Sequence, residues 1–403
     1  MFKYLTFANI SVESETFSRI VKESNKRISD VSAFREHRYL FDKIKSISKD
    51  FYTGVYGLRG IGKTVMLLQL ASVSKSALYI PIDATYLAKY SVYEIAEDAY
   101  NRGYTNLFID EIHTRKGWTA DLKTLYDEKN VHVVFTGSSA ANVKKGTDLS
   151  RRVLMYELLP PSLREYLNIK LNAGIEKVDS SMLFDGKERE RLAIKYARWD
   201  AYWDDYYRYG GVLYDARTGF PNSIMNILER IISVDLASVR LIGSGIVNDV
   251  YKLLYKIAGS GPYEISYNGL SSYLGISVKT AISFVKDLER VGLLRLVYPS
   301  AGRFRKEPKV YFRLPFRHAI NESINANTGI GIAREEFFVN STPVSWYIKT
   351  KRGEKTPDFV FDKRTIEVGG TGKTNYQGAD FIAVDGVDFV GNKIPLFLFG
   401  FLY

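Results

Sequence analysis

Between residues 57 and 64 the chain reads Gly57-Leu58-Arg59-Gly60-Ile61-Gly62-Lys63-Thr64, the G-x-x-x-x-G-K-T spacing that wraps a phosphate. Glycines let successive backbone N–H groups turn inward, and a helix opening directly behind them adds unpaired donors and partial positive charge. In that arrangement Lys63 reaches the β- and γ-phosphates, the Thr64 hydroxyl ligates Mg²⁺, and the amides as far as Val65 complete the cradle. A second group lies at Asp110-Glu111, where the apolar run Asn106-Leu107-Phe108-Ile109 closes on two adjacent carboxylates. Asp110 suits the metal shell, and Glu111 suits a general base that polarises a water attacking the γ-phosphate. Transfer to a hydroxyl does not need the second acid, so the pair points to hydrolysis. The apolar run His132-Val133-Val134-Phe135 leads into Thr136-Gly137-Ser138-Ser139, where Thr136 and Ser138 are candidates for sensing the γ-phosphate or the water.

The elements needed to position these groups are legible on both sides of them. Phe51-Tyr52-Thr53-Gly54-Val55-Tyr56 reads as a buried strand, and Val65-Met66-Leu67-Leu68-Gln69-Leu70-Ala71 as an apolar helix start, the order the loop requires. A strand ending in Asp110, set beside the strand that feeds the loop, brings that carboxylate to the metal. The chain has 403 residues, 46% of them hydrophobic and 25% charged, so several soluble domains with sizeable cores are expected. No run of eighteen uncharged apolar residues occurs, and the start lacks the apolar core of a signal peptide, so a cytoplasmic protein with no membrane partner is expected. Having no cysteine excludes disulfides and thiolate metal sites, and the four scattered histidines lack ligand spacing. Among these, His113 reads as a packed or surface residue.

The net charge of +11 is unevenly spread. Between Lys279 and Arg317 stand ten bases (Lys279, Lys286, Arg290, Arg295, Arg303, Arg305, Lys306, Lys309, Arg313, Arg317) against three acids, a local net of +7 and the footprint of a phosphate backbone. Tyr267 to Leu274 reads as a short helix, Gly275 as a tight turn, and Ser277 as the cap of the next helix. That helix carries Ala281, Ile282, Val285, Leu288 and Val291 on one face and Lys279, Thr280, Ser283, Lys286 and Arg290 on the other, which suits a recognition helix. Leu293 to Tyr298 and Lys309 to Leu314 then read as a β-wing whose turn holds Arg303, Arg305 and Lys306. A winged helix that contacts DNA, or alternatively a protein, is expected here.

Upstream of it, several helical stretches run from Glu188 to Ile257, with Trp199, Tyr202, Trp203 and Tyr206 at the spacing of a helix core stripe. Downstream, strands are expected at Val344–Ile348, Pro357–Phe361, Thr365–Val368, Asp380–Val384 and Pro395–Phe399.

Taken together, Arg59-Gly60-Ile61-Gly62-Lys63-Thr64, Phe108-Ile109-Asp110-Glu111-Ile112-His113 with Trp118, Thr136-Gly137-Ser138-Ser139-Ala140, Leu149-Ser150-Arg151-Arg152 and Leu163-Arg164-Glu165-Tyr166-Leu167 resemble the archaeal and bacterial AAA-superfamily ATPases. The resemblance implies an α/β fold: an AAA-type parallel sheet with a helical lid, then a winged helix and a small restriction-endonuclease-like domain. It implies a P-loop core over 1–160, a lid over 161–258, a winged helix over 259–320 and the nuclease-like domain over 321–403. It also implies ATP as the nucleotide, which no base-recognition element in the sequence specifies, and leaves room for a homo-oligomer or a protein partner. Arg35 or Arg38 is then expected near the nucleotide entrance, and Arg151 or Arg152 as a group stabilising charge on the transferred phosphoryl.

A nuclease of that type needs two metal-holding carboxylates and a lysine two residues after the second. Pro357-Asp358 and Glu367 supply the acids, with Glu335 a third, but Gly369 stands at the lysine position. Lys373 is the candidate substitute. The domain therefore reads as a degenerate nuclease fold used for contact or structure. The expected function is a Mg²⁺-dependent ATPase whose cycle controls engagement with DNA or a DNA-bound partner; a nucleotide-gated switch with little turnover and an ATP-controlled nuclease are the competing readings.

Overall fold

A computed structural model of the chain describes residues 12–137, 149–213, 220–240, 244–261, 266–300, 307–342, 345–348, 356–374 and 377–403. They fall into two compact units, Met1–Leu58 with Gly62–Leu159, and Arg59–Ile61 with Pro160–Tyr403.

The first unit is α/β. Strands β1 (Tyr52–Tyr56), β2 (Ala77–Pro81), β3 (Asn106–Asp110), β4 (His132–Gly137) and β5 (Val153–Glu157) form one parallel sheet in the order β2-β3-β4-β1-β5. Strands β1 and β3 are buried along their whole length, as expected for near-continuous apolar runs covered on both faces. Helices Lys63–Ser72, Val92–Asn101 and Trp118–Glu128 make the crossovers, the second opened by a reciprocal Ser91 and Glu94 capping box. The strand carrying Asp110 does not lie beside the strand feeding the glycine loop; β4 stands between them. Lateral order in a parallel sheet is set by where each crossover helix packs, which local sequence does not encode.

In the second unit a helical segment comes first, including Leu163–Leu171, Gly186–Tyr196 and Trp203–Tyr209. Trp199, Trp203, Tyr206 and Tyr207 are buried in one core together with Phe337 and Phe338, so the aromatic stripe is packing. Helices Ser244–Ala258, Tyr267–Leu274 and Val278–Arg290 precede an antiparallel ribbon of β6 (Leu294–Val297) and β7 (Lys309–Phe312). Gly275 takes the left-handed conformation that ends the first of the paired helices, and the Ser277 hydroxyl accepts from Thr280 N–H at 3.1 Å to open the second.

The chain closes with a second sheet of β8 (Ser345–Tyr347), β9 (Phe359–Phe361), β10 (Arg364–Gly369), β11 (Phe381–Val384) and β12 (Lys393–Pro395), in the order β12-β11-β10-β9-β8. Strands β8, β9 and β10 are antiparallel neighbours, while β10, β11 and β12 run parallel. Helix Ile330–Ser341 presses Phe337, Phe338 and Val339 into the core. Among the described residues, no helix is long and apolar enough to cross a membrane.

Candidate functional site

The glycine loop connects β1 to helix Lys63–Ser72. Gly60 and Gly62 hold φ of 80° and 90°, a region that side chains resist, so the loop curls as an amide-lined nest ending at the helix N-terminus. Lys63 is buried, and its amine donates to the carbonyls of Gly57 at 2.9 Å and Leu58 at 2.6 Å, spanning the mouth of the nest. Arg59, grouped with the second unit, directs its guanidinium to Asp235 of that unit at 3.1 Å.

Asp110 arrives at the end of β3 and meets three hydroxyls. Thr64 Oγ1 donates to Asp110 Oδ2 at 2.8 Å, Tyr79 Oη donates to the same oxygen at 2.9 Å, and Thr136 Oγ1 donates to Oδ1. Thr64 and Asp110, assigned separately from sequence, are therefore in direct contact and suited to share one hard cation. Tyr79 in turn accepts from Arg27 Nη1 at 3.1 Å, and Arg27 pairs with Glu23 at 2.6 Å on helix Ser14–Asp30. Burial first and Asp110 second push the Tyr79 phenol well above its ordinary pKa, so it stays a donor.

Glu111 follows in a left-handed backbone conformation, φ 54° and ψ 40°, uncommon for a residue with a side chain. The neighbours hold it there. Its N–H donates to Thr136 Oγ1 at 3.0 Å, and its carbonyl accepts from the Thr114 N–H at 3.0 Å and hydroxyl at 2.9 Å. The Glu111 carboxylate lies 3.5 Å from His113 Nδ1. Thr136, read from sequence as a γ-phosphate sensor, is fully buried and serves as the joint between Asp110 and Glu111. Tyr79, Arg27 and the His113 contact were not found by sequence reasoning, because a tyrosine inside an apolar strand and a histidine two residues past an acid carry no local signature.

The arginines divide. Arg38 is buried and donates to the Leu159 carbonyl at 2.7 Å, while Arg35 is exposed. Arg152 pairs with Asp127 at 2.9 Å, and Arg151 is exposed. Ser138 and the wing bases Arg303, Arg305 and Lys306 lie outside the described residues.

The basic stretch is less basic at its surface than its count suggests. Arg295 is buried against the Val339 and Thr342 carbonyls, Arg317 is buried against Glu336 at 2.7 Å, and Arg290 is held by Asp287 at 2.9 Å. Lys279 and Lys286 remain exposed on helix Val278–Arg290.

A third constellation lies on the second sheet. Asp362 and Lys363 both have positive φ, 47° and 64°, the signature of a two-residue hairpin turn between β9 and β10. The register Ile366 to Phe359 continues to Glu367 opposite Asp358, whose Oδ2 accepts from Val368 N–H at 2.8 Å. Lys373 Nζ donates to Glu367 Oε1, as does Gln377 Nε2 at 2.9 Å. Glu335 accepts from the Tyr311 hydroxyl at 2.9 Å and lies 3.9 Å from Lys309. Burial, reinforced by Asp358, raises both Glu335 and Glu367 above the usual carboxylate range. Among the described residues, no three His, Cys, Asp or Glu side chains are grouped to hold a metal ion unaided.

Residues 49–167 match the family model described as an AAA domain, which covers β1 through β5 with the glycine loop and the acid pair. An uncharacterized protein of Methanocaldococcus jannaschii is 30% identical over 319 residues, 73% of this chain and 66% of that protein, so the chain spans just under two thirds of that relative. Among solved structures, the Aeropyrum pernix ORC1 protein in complex with DNA aligns over 74% of this chain and 92% of its own, with 15% identity and a TM-score of 0.29. AMPPCP-bound DnaA from Aquifex aeolicus aligns over 62% of this chain and 86% of its own, with 14% identity and a TM-score of 0.26.

Proposed function

We propose that the P-loop AAA-type domain of this chain hydrolyses ATP with Mg²⁺, and that its nucleotide cycle controls engagement with DNA. The contact between Thr64 and Asp110, with Glu111 next in sequence, is the observation that carries this reading. Bound Mg²⁺ would be held by Thr64 and Asp110 and would neutralise charge on the β- and γ-phosphates. Lys63 turns from the Gly57 and Leu58 carbonyls to the phosphate oxygens, and the loop amides fix the triphosphate. Glu111 orients a water for in-line attack on the γ-phosphorus and takes its proton. Arg151 is the available candidate for stabilising the phosphoryl group, from this copy or a neighbouring one, since Arg152 is engaged with Asp127.

Tyr79 is a positioning residue in this scheme, because its hydroxyl fixes the oxygen of Asp110 that also meets Thr64. Tyr79→Phe should raise the Mg²⁺ concentration for half-maximal turnover by roughly tenfold, the usual cost of losing an outer partner of a metal ligand. A Mg²⁺ titration of turnover reads this directly; an unmoved midpoint would assign the hydroxyl to packing alone.

We assign residues 161–258 to a helical lid, 259–320 to a winged helix and 321–403 to a nuclease-like domain. Exposed Lys279 and Lys286, with the wing bases Arg303, Arg305 and Lys306, support DNA as the partner of the winged helix. Replacing Lys279, Arg303, Arg305 and Lys306 with alanine should weaken duplex binding and flatten the slope of log affinity against log salt by about 0.9 for each phosphate contact removed. Binding with an unaltered slope would hand the winged helix to a protein partner.

A further inference from the structure

Where helix Ser244–Ala258 ends, the second unit holds a cavity of about 260 Å³ that is lined by no residue of the nucleotide site. Its floor is apolar: Ile257, Leu270 from helix Tyr267–Leu274 and Val310 from β7 are all buried. Its rim is open. Lys256, Gly269 and Tyr273 border it and are exposed, with Tyr273 leaving 53% of its surface to solvent. The volume falls just under the roughly 300–1,000 Å³ of sites for drug-sized ligands, and the mostly apolar lining with a few polar groups is that of a small-molecule site.

Two features of the rim point to a ligand and to its chemistry. Gly269 stands third in an eight-residue helix, where glycine costs helix stability, and no packing demands it: a Cβ built there would meet only Ser266, at 3.4 Å. The missing side chain keeps the mouth of the cavity open. Lys256 holds its ammonium 5.4 Å from the centre of the Tyr273 ring, and among the described residues no carboxylate pairs with it or lines the cavity. A cation without a counter-ion beside an apolar floor is complementary to an anion with an apolar body. The Ser266 oxygen accepts from the Gly269 N–H at 3.1 Å, while its own hydrogen has no acceptor among the described residues. That hydroxyl stands at the helix start, where the amide dipoles also favour negative charge.

We propose that this cavity binds a small arylalkanoate, an aromatic ring on a short carboxylate arm. The carboxylate meets Lys256 and the Ser266 hydroxyl, and the ring packs on Ile257, Leu270 and Val310 beside the Tyr273 ring. Occupancy ties helix Tyr267–Leu274 to the end of helix Ser244–Ala258, and so steadies the element that turns at Gly275 into helix Val278–Arg290.

The test titrates the full chain with phenylacetate and 3-phenylpropanoate, and with phenylacetamide as the uncharged control, using ligand-observed NMR and hydrogen exchange. Both acids should bind about fivefold tighter than the amide, the upper range for one exposed ion pair. Lys256→Gln should erase that preference and leave amide binding alone; Lys256 is exposed, so this variant keeps the fold. Gly269→Leu, which fills the mouth, should weaken all three probes by about tenfold or more. Leucine is the better helix former, so Gly269→Leu should melt no lower than the parent, which separates a blocked cavity from a damaged one. Amide exchange over Tyr267–Leu274 should slow when the parent is saturated with either acid and stay unchanged in Gly269→Leu. Equal affinity for acid and amide, acid binding that survives Gly269→Leu, or no binding of any probe at millimolar concentration overturns the proposal, as does unchanged exchange in the occupied parent.

Discussion

Glu111→Gln should keep nucleotide binding and lose turnover by a factor on the order of 10²–10⁴, the range expected when a positioned general base is removed. Glutamine preserves size and left-handed backbone tolerance no worse than glutamate, so the Thr136 and Thr114 contacts that pin residue 111 are retained. Only the proton acceptor is lost. Lys63→Ala should behave differently, because Lys63 bridges the Gly57 and Leu58 carbonyls and is the sole side-chain cation of the G-K-T motif. Its loss should weaken binding as well as turnover. Equilibrium binding of a fluorescent nucleotide, paired with phosphate release, separates the two patterns. Parental turnover in both variants would remove the site from consideration.

Glu336→Ala should destabilise the second unit by about 3–5 kcal/mol, the cost of leaving a buried charge without its partner. Glu336 is completely buried and accepts from Arg317 Nε at 2.7 Å, the Phe312 N–H at 3.0 Å and the Tyr207 hydroxyl at 3.4 Å. Arg317 also donates to the carbonyls of Ile257, Ala258 and Ser260, which tie off the end of helix Ser244–Ala258. One pair thus joins helix Ser244–Ala258, the ribbon and helix Ile330–Ser341. In a unit of this size the loss should appear as a melting shift of roughly 6–20 °C. The paired replacement Arg317→Met with Glu336→Leu should recover part of that shift, since it removes both charges together. A single variant melting with the parent would mean that the pair contributes nothing.

The nucleotide site was legible because its parts are contiguous: eight residues from Gly57 to Thr64 carry the loop, and Asp110-Glu111 closes an unbroken apolar strand. The contact between them was expected for a wrong reason. Neighbouring strands were invoked, whereas β4 intervenes and Thr136 from that strand ties the acids together. Counting Lys279 to Arg317 overstated the surface charge, since Arg295 and Arg317 are buried in internal hydrogen bonds that a linear count cannot see. Lys373 was named from sequence as a candidate partner of the acids, but its contact with Glu367 was not readable there, because loop trajectories leave no periodic trace.

The turn at Asp362 and Lys363 has an evolutionary corollary. Side chains alternate faces along a strand, so a one-residue slip of β9 against β10, which a change in the length of this turn invites, would send Asp358 and Glu367 to opposite sides of the sheet. Lineages retaining both acids should tolerate varied residues in that turn, yet almost no variation in its length.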